Sequence, residues 1–129
     1  MTNKKTTTMT LNEYQKQAMT TCMDTCQNFS YMFTNLVGEV GELASKVAKA
    51  VRKGQISIDY NELNPIQMSK EEENAFDEGL MLEAGDVLWQ LAGLCNYMGW
   101  TLQDVAHANL DKLASRKQRG VIDGSGDNR

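Results

Sequence analysis

Residues 36–44 read LVGEVGELA, and residues 80–88 repeat the pattern as LMLEAGDVL. Each segment carries two acidic residues three positions apart, a spacing that makes them neighbours on one helix face. The four acids are Glu39, Glu42, Glu83 and Asp86. At about 100° per residue, both pairs fall at the flank of the apolar stripe of their helix. Two such helices packed side by side could therefore bring four carboxylates together.

These four acids are isolated among uncharged residues, since 29–45 and 79–103 contain no other charged residue. Grouped carboxylates would repel one another by roughly a few kcal/mol per close pair at an effective dielectric of about 20. A divalent cation removes that repulsion, and an all-oxygen ligand set without His or Cys selects a hard ion. One acidic pair alone is usually a solvated helix face, but two matched pairs favour a magnesium site with all four acids as ligands. Manganese could take the place of magnesium.

Capping boxes, apolar periodicity and glycine stops predict four helices. Their expected bounds, counting the capping residues, are about 10–27, 31–53, 69–98 and 101–118. The first helix would place Cys22 and Cys26 on one face, and the polar run around Pro65 would form a loop. Four helices in a chain of this length are typical of an all-α four-helix bundle, closed within one chain or completed by oligomerisation.

The same periodicity predicts which side chains face the core. The second helix would turn inward Leu36, Val40, Leu43, Val47 and Val51. The fourth would bury Leu102, Val105, Ala106 and Leu113. In the third helix apolar residues spread almost all round, which marks a buried helix. Because such wide apolar faces would stay exposed in a monomer, we expect the chain to self-associate.

Length and composition limit the alternatives. A chain of 129 residues with eight methionines, one proline and 23% charged residues suits a single helical domain. We divide it into a disordered lead at 1–9, a domain at 10–120 and a Gly/Ser-rich tail at 121–129. The formal charge of −4 argues against nucleic-acid binding, and the polar start is neither a signal peptide nor a membrane anchor. Three cysteines without a CxxC pair favour a reducing cytoplasm.

At the acidic segments the sequence resembles the MazG-like all-α nucleoside triphosphate pyrophosphohydrolases, whose pattern is an ExxE pair followed by an ExxD pair. Here the pairs read EVGE at 39–42 and EAGD at 83–86, and the resemblance runs from about residue 36 to the C-terminus. The segment 43–82 between the pairs is longer than the spacing common in that family, with the excess around 54–73. Such an insert could cap the active site, change the base preference or lengthen the two helices.

The resemblance implies magnesium-dependent hydrolysis of nucleoside triphosphates to monophosphates and pyrophosphate, by attack of water on the α-phosphorus. Glu39 or Glu42 would serve as the general base. The resemblance also implies a homodimer or a homotetramer. The residues expected to bind the substrate are Lys46, Asn109, Lys112, Arg116 and Arg119. Cations near the end of a helix also suit its macrodipole, so the three on the fourth helix keep a purely structural interpretation as well.

Two further interpretations stay open: a non-catalytic helical protein that senses nucleotides through the same metal site, and a phosphoribosyl-ATP pyrophosphatase-like enzyme. A carboxylate-bridged di-iron bundle is disfavoured. That class uses Glu-x-x-His, and the single histidine, His107, does not follow any glutamate by three positions.

Overall fold

The computed structural model describes residues 8–129. In chain order the elements are α1 (Leu11–Met19), a 3-10 turn (Asp24–Cys26), α2 (Phe29–Arg52), β1 (Ile56–Asp59), β2 (Glu62–Pro65), α3 (Lys70–Met98) and α4 (Leu102–Arg119). The expected all-α class is confirmed, with one small hairpin added. Most of the expected disordered lead, residues 1–7, lies outside the described residues. Among those described, no helix is both long and apolar enough to cross a membrane.

Helices α2 and α3 pack side by side in opposite directions. Met32 is buried and lies against Gly93, where a β-carbon would overlap the Met32 sulfur. Asn35, one turn further along α2, bonds to Gln90, which lies one turn back along α3. Because the partners advance along one helix as they recede along the other, the pair is antiparallel. Because position 93 has no β-carbon, the Met32 side chain packs directly against the backbone of α3.

A small core lies where α1 and α4 meet the second half of α3. It contains the buried side chains of Ala92, Cys95 and Leu102. Gln15 of α1 is only 7% exposed, and its amide donates to the Trp100 carbonyl at 3.1 Å. The same side chain accepts a bond of 2.8 Å from the Leu102 N–H. Trp100 lies in the connection between α3 and α4 and Leu102 is the first residue of α4, so Gln15 ties α4 to the rest of the fold.

The first helix ends at Met19, so its predicted extension to about residue 27 is wrong. The hydroxyls of Thr20 and Thr21 donate to the carbonyls of Gln17 and Ala18, at 2.6 and 2.7 Å. These bonds satisfy carbonyls at the helix end that another helical turn would otherwise have used. The prediction that the first two cysteines share a helix face is therefore wrong too, because both lie beyond the end of α1.

The predicted loop around Pro65 is also wrong, because β1 and β2 form an antiparallel hairpin there. Tyr60 and Asn61 make its two-residue turn with φ values of 53° and 63°. This left-handed combination matches the natural twist of paired strands. Ile56 is buried and places β1 against α2. The alternating sequence ISID of β1 is the local signal for this strand.

Helices α2, α3 and α4 begin and end within two residues of their predicted bounds, but burial differs from the prediction. Val40, Val51 and Leu113 were expected to face inward and are exposed. On α3, Met81 and Leu82 are 69% and 72% exposed, so this helix is not buried on all sides. The reason is geometric, because α1 and α2 cover only part of α3. One chain therefore leaves apolar helix surface uncovered.

Replacing Gln15 by Ala should destabilise the protein by about 2 kcal/mol, because the Leu102 N–H and the Trp100 carbonyl would lose a buried partner. Urea unfolding followed by circular dichroism would show this as a lower midpoint. Gln17→Ala is the matched control, since the Gln17 side chain is exposed on the same helix. Equal midpoints for the two variants would contradict the role assigned to Gln15.

Candidate metal centre

Three carboxylates from α2 and α3 meet where the two helices pack. Glu39 on α2 and the pair Glu83 and Asp86 on α3 each offer an oxygen within 4.8 Å of the other two. The antiparallel packing explains the arrangement, because it places the first acid of one repeat opposite both acids of the other. The structure thus brings together three of the four predicted ligands and draws them from both acidic pairs.

The charges around this cluster favour a cation. Glu39 and Glu83 are half-buried and Asp86 is exposed. Within residues 8–129, only Lys46 forms an ion pair with the cluster, with its Nζ 3.3 Å from Glu83 Oε1. One positive charge thus faces three negative ones, which repel at this separation. An all-oxygen donor set suits a hard divalent ion such as magnesium or manganese.

Glu42, the fourth predicted ligand, does not join the cluster. It lies three residues beyond Glu39, which rotates it by about 60° around the axis of α2. Its exposed side chain instead lines a cavity of about 290 Å³, whose wall also includes Lys46 and Glu83. Glu42 therefore stands beside the three carboxylates and keeps its own access to solvent.

An amide network that the sequence patterns did not reveal holds Glu39 in place. Asn35, one turn earlier on α2, donates to Glu39 Oε1 at 3.1 Å and to Gln90 Oε1 at 2.9 Å. Gln90 is 1% exposed, and its own amide donates to the Met32 carbonyl at 3.3 Å. The network therefore orients Glu39 towards α3. The sequence offers one local signal for this network, a glutamine among apolar residues of α3. It does not show which residue that glutamine bonds, because the partner lies on another helix.

Helix α1 brings Tyr14 to the same region. Burial raises the pKa of Tyr14 above its ordinary value, and the negative charge of Asp86 raises it further. The phenol carries its proton at neutral pH, as an ordinary tyrosine does, and can donate a hydrogen bond near Asp86. Spacing alone places Tyr14 on the apolar face of α1, so nothing in the sequence signals this position.

The basic residues of α4 lie against the C-terminal tail. Arg116 is 5% exposed and donates to Asp127 at 2.8 Å, and Lys112 donates to the same carboxylate at 3.2 Å. These two bonds hold the pKa of Asp127 below its ordinary value. Arg119 donates to the carbonyl of Arg129 at 2.6 Å. The tail thus occupies three of the cations that were predicted to bind the substrate.

The two remaining predicted substrate residues lie in different places. Asn109 is exposed on α4 and lines a shallow cavity together with Trp100 and Lys112. Lys46 is the one member of the predicted set that the structure pairs with a cluster carboxylate. Substrate binding by these residues stays a prediction, with Lys46 the best placed of them.

The chain is similar to a known protein family and to a phage protein. The MazG nucleotide pyrophosphohydrolase domain matches residues 27–121, a span that includes both acidic segments and all of α4. The gene 37 protein of Mycobacterium phage L5 is 43% identical over 106 residues, which cover 82% of this chain and 81% of that protein. No solved structure matches the chain.

Replacing Asn35 by Ala should weaken manganese binding by about tenfold, because the Glu39 carboxylate would lose the amide that orients it. Manganese is a suitable probe, since its bound and free forms are distinguished by electron paramagnetic resonance. Asn74→Ala is the control, because Asn74 is an exposed amide on α3 outside the network. Unchanged affinity in Asn35→Ala would show that the network does not position a metal ligand.

Proposed function

We propose that this chain, which belongs to the MazG nucleotide pyrophosphohydrolase family, hydrolyses nucleoside triphosphates to monophosphates and pyrophosphate with magnesium. The observation that carries this proposal is the cluster of Glu39, Glu83 and Asp86, whose oxygens lie within 4.8 Å of one another. Three carboxylates gathered from two helices suit a divalent ion that also contacts substrate phosphates.

In the proposed reaction Glu39, Glu83 and Asp86 hold magnesium, or manganese in its place. When bound, the ion neutralises phosphate charge and lowers the pKa of the attacking water. The water oxygen bonds to the α-phosphorus while the bond to the oxygen that bridges to the β-phosphate breaks, and pyrophosphate leaves. We assign the proton acceptor to Glu42, because it stands exposed beside the cluster and is free of the hydrogen bond that holds Glu39.

The purified protein should release pyrophosphate from at least one member of a panel of ribo- and deoxyribonucleoside triphosphates that also contains phosphoribosyl-ATP. Glu83→Gln and Asp86→Asn should each lower kcat/KM by about two orders of magnitude, because each removes a negatively charged ligand. Glu78→Gln is the matched control, since Glu78 is exposed on α3 outside the cluster. A coupled assay for pyrophosphate measures all of these rates.

Two results would contradict the proposed activity. One is the absence of pyrophosphate with every substrate in the panel, and the other is full activity in both cluster variants. Tight binding of a nucleotide without turnover would favour the nucleotide-sensing interpretation, because a sensor needs the metal site but no general base.

We also propose that a second copy of the chain covers the apolar surface that one chain leaves exposed. Val37 on α2 is 67% exposed and Met81 on α3 is 69% exposed, and both lie in the acidic repeats. Exposed apolar side chains next to a polar centre are typical of a face that is buried on association. Most soluble oligomers are homo-oligomers with closed symmetry, and two-fold dimers are the commonest.

The wild-type protein should therefore behave as a dimer or tetramer in light scattering after size-exclusion chromatography. Val37→Lys combined with Met81→Lys should shift it to monomer, because association would bury two unpaired charges. Tyr60→Lys is the control, since Tyr60 is 99% exposed at the tip of the hairpin. A monomeric wild-type protein at micromolar concentration would contradict this assembly.

A further inference from the structure

A basic cavity of about 290 Å³ lies next to the three carboxylates. Two lysines of α2 and the lysine that directly follows its last residue line one side. Gln55, just before β1, and Phe76 of α3 also belong to the wall. The lysines are Lys46, Lys49 and Lys53. With Ala50 and Phe76 as its apolar wall residues, the cavity suits a charged ligand better than an apolar one.

The cavity and the cluster share a residue. Glu83 belongs to the three-carboxylate cluster and also lines the cavity. Lys46 bridges the two, because its Nζ lies 3.3 Å from Glu83 Oε1 while its side chain forms part of the cavity wall. A phosphate chain that begins at the carboxylates can therefore continue into the adjacent cavity.

The Lys46 side chain lies against Gly79 of α3. A β-carbon at position 79 would be 2.7 Å from Lys46 Cε and 3.0 Å from its Nζ, so the lysine side chain lies directly across bare backbone. Gly79 itself is buried, and 38% of the Lys46 side chain is exposed. The ammonium group is therefore held at the boundary between cluster and cavity by the packing of the two helices.

The cavity wall carries three lysines against two glutamates, Glu42 and Glu83, so its net charge is positive by one. Within the part of the chain that the structure describes, Lys49 and Lys53 have no carboxylate within ion-pair distance, whereas Lys46 is paired with Glu83. Each ammonium group offers three hydrogen-bond donors and no acceptor, which matches the oxygens of a phosphate. Lys112 and Arg116 of α4, in contrast, are paired with Asp127 of the tail.

We infer that this lysine cavity is the subsite for the β- and γ-phosphates of the substrate, and hence for the pyrophosphate that leaves. The inference rests on the proposed function, which places the α-phosphate at the carboxylate cluster. Lys49 and Lys53 lie about 5 and 10 Å beyond Lys46 along the axis of α2. A substrate with a longer phosphate chain therefore reaches more of the lysines, and the cavity selects triphosphates over shorter nucleotides.

The test is the binding of inorganic pyrophosphate with magnesium, measured by isothermal titration calorimetry. Lys49→Gln combined with Lys53→Gln should weaken the affinity by about a hundredfold, at about tenfold for each lost charged donor. Lys16→Gln combined with Lys117→Gln is the control, because it changes the net charge equally at two exposed lysines outside the cavity. The control should keep the wild-type affinity. Circular dichroism verifies that both double variants are folded.

Steady-state kinetics on a substrate from the panel gives a second measurement. The Lys49 and Lys53 double variant should raise KM for the triphosphate by about the same factor, while the control variant should not. Unchanged pyrophosphate affinity in this variant would overturn the inference even if the protein hydrolyses triphosphates. The opposite result, pyrophosphate binding that depends on both lysines in a protein without hydrolase activity, would support the subsite while the proposed reaction fails.

Discussion

The register between α2 and α3 is the constraint on which the rest of the structure depends. The contacts that set it are Met32 with Gly93, Asn35 with Gln90 and Lys46 with Gly79. A slip of one helical turn would move one helix by about 5.4 Å along the other. That distance exceeds the 4.8 Å within which the three carboxylate oxygens now lie, so the cluster exists only in this register.

The same register brings together three carboxylates whose mutual repulsion opposes the packing of α2 against α3. Glu39, Glu83 and Asp86 repel one another, and a single lysine offsets part of that repulsion. Other contacts must therefore hold the helices together when no cation is bound. The buried amide of Gln90 and the core around Gln15 supply these contacts in the C-terminal half of α3. A cation that binds only the folded chain would add to stability through linkage.

Local signals were sufficient to predict three of the helices and the acidic pairs. The Ser69 side chain caps α3, and Gly99 and Gly120 end α3 and α4 with φ values of 74° and 71°. The failures lie where the decisive partner is distant in sequence. Helix α1 ends where Trp89 of α3 donates to the hydroxyl of Thr21 at 2.9 Å, a contact that no local pattern contains. The amide network behind Glu39 and the docking of the tail on α4 were missed for the same reason.

The long segment between the acidic pairs, residues 43–82, supplies most of the wall of the lysine cavity. It contains the lysines of the second half of α2, the hairpin, and Phe76 of the cavity wall. Gln55 donates its N–H to the Ala50 carbonyl at 3.0 Å and accepts at its own carbonyl from Ile66 at 2.9 Å. These bonds join the hairpin to the end of α2, and buried Ile56 holds it there. Of the additional residues around 54–73, Gln55 lines the lysine cavity. The insertion that lengthens the spacing between the acids therefore contributes to the surface that would contact the substrate's terminal phosphates.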